Sequence, residues 1–233
     1  MVVSIVLIVL GMISMSFFIY GKITNYSIKT NIIKLVTSLL FVALALYLYI
    51  TKGYPLIGLF ILLGGIFGLL GDVALGLKRI FKNKNKQLIL LGLFFFAIGH
   101  ILYDTGLYIC YYIPGQIVAI IIPVILAPLC GSFGSMLLEK VCHLHYGKFK
   151  YIGMFYYTCV YSLSLVSFSL LAINGFTNTF LWIFFVGALL FASSDTILAK
   201  TYFSDNVKKV DQISTTITYY LAQFVIAFSI FFL

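Results

Sequence analysis

The chain has 233 residues, 63% of them hydrophobic and only 9% charged, with a mean hydropathy of +1.14. Soluble domains are about 45–50% apolar and about 25% charged, so this composition excludes a soluble globular protein and a disordered one alike. The net charge of +9 would suggest a nucleic-acid partner in a soluble chain, but here the basic residues sit between long apolar runs and read as topology signals; no nucleic acid is expected.

Eight segments are apolar over the roughly 20 residues that a bilayer crossing requires: about 3–20, 32–50, 56–77, 88–109, 114–138, 151–172, 180–199 and 213–233. The first has no Lys or Arg ahead of it and no A-x-A site behind it, so it reads as a spanning helix and not a cleaved leader. The runs are too continuous for the alternation of a barrel, and lipid leaves no partner for exposed backbone, so the fold class is all-α: a polytopic integral membrane protein forming a single domain over 1–233. Pro123 and Pro128 should kink the fifth helix. Cys110, Cys130, Cys142 and Cys159 form no CxxC pair and read as lipid-facing or core thiols.

Fourteen of the 15 basic residues fall in the first, third, fifth and seventh loops or beside them; the even loops hold only Lys52. The positive-inside rule then places the odd loops in the cytoplasm and both termini outside, in a multi-pass protein of the cell membrane.

Charge at bilayer depth is costly, so each intramembrane acid or histidine is a functional candidate. Asp72 and Asp195 lie six and five residues before Lys78 and Lys200, at matching depths roughly 8–9 Å inside the cytoplasmic ends of their helices. Gly64, Gly68, Asp72 and Gly76 recur every fourth residue, which puts Asp72 on a closely packed face. Gly92, Phe96, His100 and Tyr103 share a face of the fourth span, while Asp104 stands one residue around from it and is left outside the site. Tyr220 and Gln223 face the same half of the membrane from the eighth span. Polar groups from four spans thus converge on a pocket. The third and seventh spans also share a loose pattern, GDVALGLKRIF against SDTILAKTYF, which leaves an internal duplication open.

The stretches GLLGDVAL (68–75), GLFFFAIGHILY (92–103), GALLFASSDTILAKTYF (187–203) and TYYLAQFVIAFS (218–229) resemble the lysoplasmalogenase, or YhhN-like, family of membrane proteins. The family's motifs fall on Gly71 and Asp72; on Gly92, Leu93, Phe96, His100 and Tyr103; on Gly187, Phe191, Ser194, Asp195, Leu198 and Ala199; and on Tyr219 or Tyr220, Ala222 and Gln223. The resemblance spans roughly 30–230. It departs where family members often carry Lys-Pro at the start of the second span: Lys34 is followed here by Leu35, though Lys34 can still meet a lipid phosphate.

What the resemblance implies is a hydrolase cleaving the vinyl ether of lysoplasmalogens to a fatty aldehyde and glycerophosphoethanolamine or glycerophosphocholine. Its catalytic residues would be Asp72 and Asp195, with Lys34, His100, Tyr103, Ser194, Tyr220 and Gln223 binding substrate. The chemistry suits the residues. A vinyl ether breaks by protonation at carbon, which needs an acid holding its proton and a nearby anion, and two close carboxylates can divide those roles. The expected partners are the lysophospholipid and membrane lipid, with no protein partner readable and no metal or cofactor assigned. Two rivals stay open: a small proton- or cation-coupled transporter using the buried aspartates, and a zinc hydrolase in which Asp72, His100 and Asp195 are the ligands.

Overall fold

A computed structural model describes residues 1–233, the side chains of Arg79 and Lys82 excepted. It comprises eight helices: α1 (Val2–Thr24), α2 (Ile28–Thr51), α3 (Leu56–Ile80), α4 (Asn85–Tyr111), α5 (Val118–Val141), α6 (Lys150–Ile173), α7 (Thr179–Phe203) and α8 (Lys209–Ser229). Among the described residues there is no strand, and all eight helices are long and apolar enough to cross a membrane. The chain is therefore an all-helical, multi-pass membrane protein.

Local chemistry sets the helix ends. Ser27 caps α2 through a reciprocal pair of hydrogen bonds with Thr30, and Asn178 Oδ1 accepts from Leu181 N at the start of α7. The sequence places the start of the fifth span near 114, but the helix begins at Val118. Pro114 and Gly115 form a turn ahead of it, and Gly115 holds φ at +90°, which a side chain would strain. Pro123 and Pro128 both lie inside α5, which runs through them as one helix; membrane helices tolerate prolines where local adjustments re-satisfy the freed carbonyls.

Short connections make sequence neighbours antiparallel, so the odd loops gather at one end of the bundle. Lys22 Nζ at the end of α1 donates to Gln212 O (3.1 Å) and Thr216 Oγ1 (2.7 Å) at the start of α8. Lys78 Nζ lies 3.1 Å from the centre of the Tyr202 ring, tying α3 to α7. His145 N donates to Phe203 O at 2.7 Å, and Lys200 pairs with Asp211 at 2.9 Å. Most of the basic side chains thus collect at this basic-loop end, whichever side of the membrane it faces.

The last helix is central, packing against α1, α2, α3 and α7, whereas α5 packs chiefly on α6. Large apolar side chains such as Ile5 and Val9 of α1 and Val124 and Phe133 of α5 are exposed on the outer face. A lipid environment is what such a surface requires.

Candidate active site

Small residues on α3 let its neighbours come close enough to bond Asp72. A Cβ at Gly68 would stand 2.8 Å from Gln223 Nε2 of α8, and one at Gly76 would run into Asn31 Oδ1 of α2. Asp72 is consequently buried between α2, α3 and α8, and its carboxylate is fully engaged. Oδ1 pairs with Lys34 Nζ at 2.9 Å, while Oδ2 accepts from Ser38 Oγ (2.7 Å) and Tyr219 Oη (2.8 Å). The Lys34 ammonium also donates to the Asp72 backbone carbonyl at 2.9 Å. Lys34 and Ser38 are four residues apart on α2, so one helix face supplies both.

Asp195 has a different setting. Tyr156 Oη of α6 donates to its Oδ2 at 2.5 Å, and Tyr157 Oη donates to its backbone carbonyl at 3.3 Å. Among the described residues no ammonium pairs with it, and no hydrogen bond reaches Oδ1.

Both carboxylates line one cavity of about 110 Å³. Asp72 stands eight residues before Ile80 and Asp195 eight before Phe203, each about 12 Å along its helix from the basic-loop end. The helices run a few residues beyond the apolar spans, so the depth exceeds the value read from the lysines. Phe18 and Lys22 of α1, Lys34 of α2, Ser194 of α7, and Thr216 and Tyr220 of α8 complete much of the wall. Ser194 Oγ donates to Thr215 O at 3.2 Å, and Tyr220 Oη donates to Lys34 O at 3.3 Å.

Three of the residues expected at the site stand behind this wall. Tyr103 Oη donates to Gln223 Oε1 (3.4 Å), whose Nε2 donates to Tyr219 Oη (3.3 Å), which in turn reaches Asp72. Tyr103 and Gln223 are thus linked to the carboxylate through Tyr219 without facing the cavity. His100 is buried edge-on against Phe191, ring centres 4.6 Å apart, and neither of its nitrogens has a hydrogen-bond partner among the described residues. No group of three or more His, Cys, Asp or Glu among the described residues could hold a metal ion. Asp104 accepts from Ser162 Oγ at 2.5 Å, away from the cavity.

Ser38, Tyr156 and Lys22 went unrecognised in the sequence. The four-residue spacing from Lys34 could have indicated Ser38. Tyr156 is one of 17 tyrosines and carries no distinguishing pattern. Lys22 is masked by its place in a basic loop.

A multi-pass helical membrane protein with two buried carboxylates on one polar cavity is the class these features define. Residues 30–230 match the YhhN family, the family of lysoplasmalogenases, and the chain belongs to it. Comparison with curated proteins and with solved structures finds no match. The α1 helix, which supplies Phe18 and Lys22 to the cavity wall, lies outside the matched residues.

Proposed function

We propose that this protein hydrolyses the vinyl ether bond of lysoplasmalogens, releasing a fatty aldehyde and a glycerophospho-alcohol. One observation carries the proposal: Asp72 and Asp195, from different helices, line a single polar cavity in an otherwise apolar bundle. Family membership supports the same chemistry.

The two settings suggest a division of labour. Among the described residues Asp195 pairs with no ammonium and no hydrogen bond reaches its Oδ1, which suits a proton donor. Asp72, facing Lys34 and two hydroxyl donors, suits the anion that steadies a developing cation. Asp195 gives its proton to the alkene carbon remote from oxygen, leaving an oxocarbenium ion. Water adds to the carbon bearing oxygen and loses a proton to Asp72, which passes it back through water to Asp195. The resulting hemiacetal collapses: its hydroxyl becomes the aldehyde carbonyl, and the glycerol oxygen departs with a proton. The pair exchanges protons as a unit throughout. Paired carboxylates divide acid and stabilising roles in glycosidases, a parallel of chemistry and not of fold.

Lys34 fixes Asp72, and Lys22, nearer the basic-loop end of the same cavity, faces the headgroup phosphate. With the odd loops cytoplasmic, substrate is taken from the inner leaflet of the cell membrane. The test is to incubate purified protein with a lysoplasmalogen, its ester analogue and its saturated-ether analogue. Aldehyde should come from the first alone. Absence of aldehyde, or equal processing of the ester, would overturn the proposal.

A further inference from the structure

A second cavity, of about 170 Å³, lies between α2 and α3. Its walls are mainly Ile32, Leu35, Val73 and Leu77, and it shares only Lys34 and Asp72 with the polar cavity. Ile32 is 55% exposed and Leu35 37%, so the fissure borders the lipid-facing surface of the bundle. The Lys34–Asp72 pair therefore borders both cavities, the one apolar and open toward lipid between α2 and α3, the other more polar and lined by both aspartates.

A single-chain phospholipid has the same division. Its apolar chain and its charged headgroup are joined by one linkage, and in a lysoplasmalogen that linkage is the vinyl ether. We propose that the α2–α3 fissure is the binding site for the alkyl chain of the lysophospholipid, which lies sideways into the membrane with its headgroup in the polar cavity. The linkage then rests beside Asp72. This inference rests on the hydrolase reading for its choice of occupant, and it specifies what that reading leaves open: which interhelical gap holds the chain. It also accounts for a small polar cavity, because only the headgroup and the first atoms of the chain need to fit inside it. Chain length beyond the fissure is accommodated by lipid, so long and medium chains should bind alike once the fissure is filled.

The test uses the whole protein in lipid nanodiscs with a saturated-ether lysophospholipid carrying a photoactivatable diazirine in its chain. That probe cannot be hydrolysed, so labelling is independent of catalysis. Label should appear at Ile32, Leu35, Val73 or Leu77 and fall several-fold when unlabelled saturated-ether lysophospholipid is added in excess. Label at Val124 on the outer face of α5 should not fall, because ordinary annular lipid is not saturable. Val73→Trp, which fills the fissure, should remove the competable label, whereas Val124→Trp should not. Competable label confined to another interhelical gap, or none anywhere, would overturn the inference. The two proposals fail separately: a protein releasing no aldehyde but labelled at the fissure refutes the hydrolase reading alone, and one releasing aldehyde with label elsewhere refutes only this site.

Discussion

The ammonium of Lys34 stands 2.9 Å from Asp72 Oδ1, and its side chain is only 12% exposed. Removing the carboxylate leaves that charge without a counter-ion in a weakly polar setting, a loss of about 3 kcal/mol at the low end of the usual range because Lys34 keeps some exposure. Asp72→Asn should therefore lower both thermal stability and turnover, whereas Asp195→Asn, which strands no cation among the described residues, should lower turnover alone. For each, the fall in aldehyde release should be at least about 10²-fold, the scale of lost acid–base catalysis. Combining Asp72→Asn with Lys34→Met should recover the melting temperature but not the activity. A double variant that regained activity would show that the pair is structural. The carboxylates were legible in the sequence because a charge inside an apolar run is conspicuous. Two of their hydroxyl partners were not: Ser38 and Tyr156 carry groups that many spanning helices carry, whereas Tyr219 stood in the sequence only as an alternative to Tyr220. His100 was just as conspicuous as the aspartates, yet it packs on Phe191 off the cavity, because polarity alone does not say what the facing helix presents.

Helix packing positions these groups, and glycine governs how closely the helices meet. At Gly187 of α7 a Cβ would stand 2.7 Å from Ile226 Cγ1 and 3.2 Å from the Ile226 backbone nitrogen of α8. The side chain can turn away, but the backbone cannot. Gly187→Val should push α7 from α8, move Asp195 relative to Tyr219, and cost about 1–3 kcal/mol as overpacked interiors do. Gly153→Ala on α6, where nothing lies within 4 Å, should be neutral or slightly stabilising. Thermal unfolding of the two variants, with aldehyde release measured alongside, distinguishes a packing constraint from a generic intolerance of substitution. At this scale the sequence was informative about existence and less so about extent. The eight apolar runs correspond to the eight helices, but α4 and α8 begin a few residues before their runs, at Asn85 and Lys209. Hydropathy excludes such polar ends, while backbone hydrogen bonding continues through them and long basic side chains reach past the apolar zone. At the start of α5 the opposite holds, because the Pro114–Gly115 turn takes up residues apolar enough to count toward the span.

For the whole molecule, the bundle gathers its odd loops at one end, and from the charge asymmetry we propose that this end faces the cytoplasm. In a cysteine-free background, Lys84→Cys should resist an impermeant thiol reagent applied to intact cells, while Thr177→Cys in the α6–α7 connection should react. The reverse pattern would turn the cavity toward the outer leaflet and require substrate to be taken from there. Neither orientation alters the proposed chemistry, in which protonation at carbon is followed by attack of water on the carbon side of the ether. That order keeps the original glycerol oxygen on the glycerophospho product. The most direct test is hydrolysis of a lysoplasmalogen in water enriched in heavy oxygen, followed by mass analysis of the glycerophospho product, whose hydroxyl oxygens do not exchange with solvent. The carboxylate mechanism predicts that this product carries no heavy oxygen, whereas a heavy oxygen on its glycerol would contradict it.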